Sequence, residues 1–102
     1  MHEQKIYLVI NAVPNTDDLL SFQSYLSQIM VIFNQFGGIQ QQRFKTLEQV
    51  MGNGGIKAIA VFEFPDTATI KEMLASDTFN ALNDLRKKAY KQDVDLMICE
   101  EL

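Results

Sequence analysis

A chain of 102 residues, with 47% hydrophobic and 22% charged side chains, has the size and balance of a folded protein, and no Pro-, Gly- or Ser-rich stretch divides residues 1–102, which read as one domain. A net charge of −4 argues against a nucleic-acid partner, because affinity for a phosphate backbone rests on clustered Lys and Arg that release counterions. The lone cysteine, Cys99, excludes an internal disulfide and fits a reducing, cytoplasmic setting.

From Lys5 to Val13, Tyr7, Val9, Asn11 and Val13 alternate with Ile6, Leu8, Ile10 and Ala12, so both faces of this first strand are mostly apolar. The run Ile6 to Ile10 is too short to span a bilayer and lacks the cleavage pattern of a leader, so no membrane partner is expected. Pro14 and Asn15 break the strand. Thr16 is then read as the cap of a long helix, with Asp17 and Asp18 in its first turn. Leu19, Phe22, Leu26, Ile29, Phe33 and Phe36 form one stripe on it, widened by Tyr25, Met30 and Ile32, and Gly37 supplies its left-handed terminus.

Ile39 to Leu47 is polar around Phe44 and reads as an exposed edge strand. Gly52-Asn53-Gly54-Gly55 carries the chemistry of a hairpin turn, not of a phosphate loop, since it leads into strand residues Lys57 to Phe64 and not into a helix. Pro65 ends that strand and Asp66 caps a helix bearing Ile70, Met73 and Leu74. Ser76 and Asp77 interrupt it, and Phe79, Leu82, Leu85 and Ala89 continue the stripe, which implies two pieces or one kinked piece. The basic cluster Arg86, Lys87, Lys88 and Lys91 suits the negative end of this last helix. Asp93 to Glu100 closes the chain as a strand with Val94, Leu96 and Ile98 on one face and Met97 and Cys99 on the other.

The order strand, helix, strand, strand, helix, strand is the α+β, ferredoxin-like β-α-β-β-α-β plan, a four-stranded antiparallel sheet with its helices on one face. Three strands are still apolar on the opposite face. With no more chain to cover that face, a second copy is the expected cover, and the protein is expected to be a homodimer.

Phe36-Gly37-Gly38, Val61-Phe62-Glu63-Phe64-Pro65-Asp66, Ser76-Asp77-Thr78-Phe79-Asn80-Ala81-Leu82 with Leu85-Arg86, and Asp93-Val94-Asp95-Leu96 together resemble the bacterial domain-of-unknown-function family 1330. The resemblance spans nearly the whole chain and implies a dimeric α/β barrel in which two sheets face one another with the helices outside. The Gln-rich second strand and the Gly52 to Gly55 turn depart from the commoner family pattern. The superfamily includes cofactor-free monooxygenases, isomerases and haem-handling enzymes, and a shared fold does not transfer function.

No cofactor and no metal are expected. The only histidine, His2, precedes the first strand, and Cys99 stands in an apolar run followed by Glu100 and Glu101, without the cationic neighbour that activates a thiol. Asn11 and Glu63 each interrupt an apolar alternation near the C-terminal end of a strand expected to be central, the two strands parallel and the two residues neighbours. A lone buried carboxylate is costly, so Glu63 needs a partner, for which Arg86 is the candidate. As a structural ion pair the two would fix the last helix against the sheet. As a site, Tyr7 and Tyr25 would wall a cleft between sheet and helices, with Asn11 beside them, Glu63 as general base or acid and Arg86 holding an anionic substrate. Two functions follow: a cytoplasmic homodimer that binds a small organic molecule in that cleft, or a cofactor-free monooxygenase or isomerase acting on a small organic acid or aromatic compound.

Overall fold

The structure is a computed structural model that describes residues 5–53, 57–92 and 94–102. His2, Gly54, Gly55 and Asp93 lie outside the described residues. In chain order the elements are β1 (Ile6–Ala12), α1 (Leu19–Gln35), β2 (Ile39–Lys45), β3 (Ala58–Phe64), α2 (Thr67–Ala75), α3 (Asp77–Asn80), α4 (Asn83–Ala89) and β4 (Asp95–Glu100). The sheet runs β2-β3-β1-β4 with every neighbouring pair antiparallel, the ferredoxin-like arrangement read from the sequence.

Register and the two-residue period of a strand decide which side chains share a face. Leu8 lies opposite Phe62 and Ile98, and Ile10 opposite Ala60 and Leu96. Leu8, Ala12, Phe62 and Phe64 are buried in one cluster with Ile29 and Phe33 of α1, Ile70 and Met73 of α2, and Ala89 of α4, so the helices cover this face. Phe33 of α1 meets Phe62 and Phe64 edge-on, with ring centroids 4.8 and 5.9 Å apart. On the other face Tyr7, Val9 and Asn11 stand beside Glu63, Val61 and Ile59 of β3 and Cys99, Met97 and Asp95 of β4, and no helix covers them.

The helix ends depart from the sequence reading in instructive ways. Thr16 does not cap α1. Asn15 turns the chain first, its Oδ1 accepting from the Asp17 backbone, and Asp18 becomes the cap, accepting from the Ser21 N–H at 3.2 Å and the Ser21 hydroxyl at 2.7 Å. At the far end Gly38 N–H donates to Phe33 C=O at 2.8 Å and Gly37 N–H to Asn34 C=O at 3.0 Å, the paired bonds of a Schellman terminus with Gly37 at φ +81°. Asp66 caps α2 as expected, accepting from Thr69 N–H at 2.7 Å. Ser76 is extended, at φ −71° and ψ 150°, and its hydroxyl accepts from Phe79 N–H, so α2 stops there and α3 begins; Leu82 then separates α3 from α4. The second helical region is three pieces.

Two strand expectations change as well. β1 and β3 are antiparallel, not parallel, because β3 returns directly from β2, which runs alongside β1's direction two places away. The β2–β3 connection is also longer than a tight hairpin: β2 ends at Lys45 and β3 begins at Ala58, Thr46 N–H still bonds Lys57 C=O at 2.9 Å, and Gly52 has φ +91°.

Gly38 also brings the end of α1 against β3. A Cβ there would stand 2.5 Å from Cζ of Phe64 and 3.0 Å from the Phe33 carbonyl oxygen, and neither the buried ring nor the capping bond can move freely. Gly38→Ala is therefore expected to lower unfolding stability by about 1–3 kcal/mol, read from denaturant midpoints at unchanged m-value.

Candidate functional site

The cleft between α1 and the β2–β3 half of the sheet holds a cavity of about 770 Å³. It forms because β2 is exposed along its whole length and β3 presents small residues, Ala58 and Ala60, where a larger side chain would fill the space below α1. Phe22, Tyr25, Ile29 and Phe33 of α1 roof it, and Ile10, Ala60, Phe62 and Leu96 floor it. Phe79, Arg86 and Tyr90 close one end, and Arg43, Lys45, Lys57 and Lys91 stand at its rim.

The end wall is held by backbone bonds between the exit of β1 and the exit of α4. Lys91 N–H donates to Val13 C=O at 2.9 Å, Asn15 N–H donates to Ala89 C=O at 2.8 Å, and the Asn15 side-chain amide donates to Lys88 C=O at 3.0 Å. Pro14 and Tyr90 form the accompanying bridge. Tyr90 is thereby pressed among aromatic rings, with its centroid 5.6 Å from both Phe22 and Tyr25 in edge contact.

One turn before Tyr90, Arg86 points into the same wall. Its Nη2 donates to Asn83 Oδ1 at 2.6 Å, and its Cζ sits 5.2 Å from the Phe79 ring centroid. Its Nη1 is buried and has no hydrogen-bond partner among the described residues. Leaving such a donor unsatisfied costs on the order of 1–3 kcal/mol, and more where the group is charged. Burial raises the Tyr25 hydroxyl above its ordinary pKa, while the hydrogen bonding and charge of Arg86 pull the other way. Burial and then the neighbouring Tyr25 push Tyr90 up to about 12, against the opposing charges of Arg43 and Arg86. Two protonated phenols and two guanidinium groups therefore act on one another at this end of the cleft.

Of the five residues expected at a site, the fold brings Tyr25 and Arg86 together and puts Tyr7, Asn11 and Glu63 on the opposite face of the sheet. Glu63 and Arg86 are not a pair. Glu63 Oε1 lies 3.7 Å from Lys5 Nζ, and Arg86 bonds Asn83. The reason is strand parity: Glu63 is one residue from buried Phe62 and Phe64, so its side chain leaves through the other face. Asn11 and Glu63 are not neighbours either. In the antiparallel register Asn11 faces Ile59 and Tyr7 faces Glu63, which separates the two by roughly 13 Å along the strand. Tyr7 donates to Glu101 at 2.8 Å, and that bond, ahead of partial burial and the charges of Glu101 and Glu63, raises its pKa. Asn11 Oδ1 is buried without a partner among the described residues.

Sequence reasoning missed Arg43 and Tyr90. A bulge between Gln40 and Gln42 shifts the parity of β2 and turns Arg43, opposite Ala60, to the helix side. Tyr90 follows the last helical residue, where the helical stripe no longer applies. Among the described residues no group of three His, Cys, Asp or Glu could hold a metal ion, and no helix is long and apolar enough to cross a membrane.

Two outcomes follow. A double-mutant cycle on Glu63→Gln and Arg86→Ala, measured by chemical unfolding, is expected to give a coupling energy indistinguishable from zero, because the sheet lies between the two side chains. Alkaline stability carries the second. The folded chain holds the Tyr90 proton more tightly than the unfolded chain, whose tyrosine titrates near 10, so this contribution is full below pH 10 and is lost as pH rises towards 12. Denaturant melts across that window are expected to fall more steeply for the wild type than for Tyr90→Phe.

Similar folds recur among solved structures. A protein of unknown function from Rhodopseudomonas palustris, RPA0582, matches with a TM-score of 0.75 at 16% identity, over 98% of this chain and 85% of its own. An ethyl tert-butyl ether d family protein from Bacillus halodurans matches at 0.65 and 15% identity, over 96% and 99% of the two chains. An antibiotic biosynthesis monooxygenase matches at 0.65 and 12% identity, over 95% and 98%. At these identities the likeness is one of fold. No curated protein matches the chain. The family model described as Domain of unknown function (DUF1330) matches residues 5–102, and the chain, with its ferredoxin-like fold, belongs to that family.

Proposed function

We propose that the chain forms a cytoplasmic homodimer and binds a small organic molecule in the cleft between its sheet and helices. The observation that carries this reading is the cavity of about 770 Å³, walled by Phe22, Ile29, Phe33, Phe62 and Leu96, with Tyr25, Arg86 and Tyr90 among its polar lining. Ligand sites are usually hollows of about 300–1,000 Å³ with mostly apolar walls and a few convergent polar groups. A small domain that leaves such a volume beside its core forgoes packing that a bound molecule would restore.

The homodimer is supported by the uncovered sheet face. Val9 and Val61 stand opposite one another at its centre, and Phe44, 54% exposed, and Met97, 42% exposed, extend it towards the two edges. A second reading, a cofactor-free enzyme acting on the bound molecule, is favoured by the likeness to a fold that carries antibiotic biosynthesis monooxygenases. It ranks behind binding because proton abstraction needs a base near neutrality, and the phenols of Tyr25 and Tyr90 are both raised away from it, while Glu63 lies across the sheet.

Amide-resolved NMR with a library of small apolar organic compounds tests the cleft. Shifts are expected to gather on Tyr25, Ile29, Phe33, Tyr90 and Leu96; shifts confined to Tyr7, Val9 and Val61 would remove the reading. Sedimentation equilibrium at micromolar concentration tests the assembly, with a dimer expected for the wild type and a folded monomer for Val61→Asp, which sets a carboxylate at the centre of the uncovered face.

A further inference from the structure

The charges around the cleft are distributed against the composition of the chain. The protein has 13 Asp and Glu against 9 Lys and Arg. Yet the charged residues lining the cleft are Arg43, Lys45, Lys57, Arg86 and Lys91, all cationic, and among the described residues no carboxylate joins them. Among the described residues only Lys91 of these has a carboxylate within ion-pair distance, Asp17 at 3.6 Å. A solvated helix end explains Lys91, but it does not explain Arg43, which a strand bulge turns towards the helices from the opposite side of the cleft.

Two guanidinium groups line the cleft from different elements. Arg86 approaches from α4 and Arg43 from β2, and the charge of each lowers the pKa of Tyr90 against the effect of burial. Arg86 is held in position by Asn83, by the Phe79 ring and by hydrogen bonding towards Tyr25, while its buried Nη1 has no partner among the described residues. A guanidinium presents its donors as a planar fork, and the group that matches such a fork is planar and anionic. Beyond this end the walls are apolar, with Ile29, Phe33, Phe62 and Leu96 offering no hydrogen-bonding side chain.

We propose that the ligand of this cleft is an amphipathic organic anion, a carboxylate on an apolar body, with its head held by Arg86 and Arg43 and its body lying along Ile29, Phe33, Phe62 and Leu96. The inference rests on the cleft being a binding site and adds the class of its ligand. The carboxylate gives Nη1 the acceptor it lacks, and its charge offsets the cations that line the cleft without a carboxylate among the described lining residues. Tyr25 and Tyr90, kept protonated at neutral pH, supply hydroxyl donors at the same end. A phosphate monoester fits less well, since its greater charge and extra acceptor oxygens would find apolar walls on the remaining sides.

The test is calorimetric titration with three probes of one chain length, decanoate, decanamide and decylammonium, each below its aggregation concentration. Decanoate is expected to bind at least about tenfold more tightly than decanamide, and decylammonium more weakly than either. Arg86→Gln is expected to bring decanoate down to the affinity of decanamide, while Lys71→Gln, which removes a cation from exposed α2 away from the cleft, keeps the preference. Should Arg86→Gln not fold, Arg43→Gln on the exposed edge strand carries the same expectation with a partial loss. Equal binding of decanoate and decanamide overturns the anionic head and leaves the binding cleft standing. Binding of none of the three overturns both.

Discussion

The fold's functional geometry depends on the backbone staple between the exit of β1 and the exit of α4. Val13 and Asn15 flank Pro14, which has no N–H to give, so the strand must finish its hydrogen bonding with another segment. It finds Ala89 and Lys91, and Asn15 adds its side-chain amide to the carbonyl of Lys88 at the end of the helix. The same bonds fix where α4 begins its return to the sheet. They therefore fix Tyr90 between Phe22 and Tyr25, and Arg86 one turn earlier against Phe79. Without the staple, α4 would have only the apolar contacts of Leu82, Leu85 and Ala89 to place it, and apolar contacts do not specify the azimuth of a guanidinium.

Most of the architecture was legible because it rests on local period. Alternation in Ile6 to Ala12 and Ala58 to Phe64, the stripe of α1, Gly37 at its end, and the Asp66 and Ser76 caps are short-range signals, and each has its counterpart in the structure. The site was only half legible because it depends on parity and register, which are long-range. Glu63 and Arg86 looked like partners as sequence-distant opposite charges, yet one residue of parity puts Glu63 beside Lys5 on the far side of the sheet. Arg43 failed in the opposite sense: the bulge after Gln40 reverses its face, and nothing in the run Gln40-Gln41-Gln42 marks where a bulge will form. Thr16 lost the cap to Asp18 because Asn15 uses its own side chain to turn the chain first, a competition between neighbours that propensity alone does not rank.

The helices sort charge as well as bulk. With more acids than bases, the chain would repel an anion at long range, and a cleft for an anion needs its cations close together and its carboxylates elsewhere. The elements achieve this by position. Asp66, Asp77 and Asp84 lie at the caps or first turns of α2, α3 and α4, where negative charge favours the helix N-terminus, and Asp95 and Glu63 leave through the uncovered face of the sheet. Arg86, Lys87 and Lys88 fall in the last turn of α4, the end that favours cations, and only Arg86 of the three turns inward to the cleft. The arrangement that stabilises each helix is thus the one that keeps the carboxylates of those helices out of the cleft lining.

The two faces of the sheet can then change independently. Odd-numbered residues of β1 build the uncovered face and even-numbered ones the floor of the cleft, so a substitution at Val9 alters one surface and a substitution at Ile10 the other. Members of a fold class that share the sheet can therefore keep one way of pairing while their clefts diverge in size, charge and chemistry, which is consistent with neighbours of 12–16% identity retaining the backbone over nearly the whole chain. In this chain β2 is the strand exposed along its whole length, and its glutamines and bulge carry no core packing. An edge strand free of packing constraints can exchange side chains at little cost in stability, and it is the strand that contributes Arg43 to the cleft.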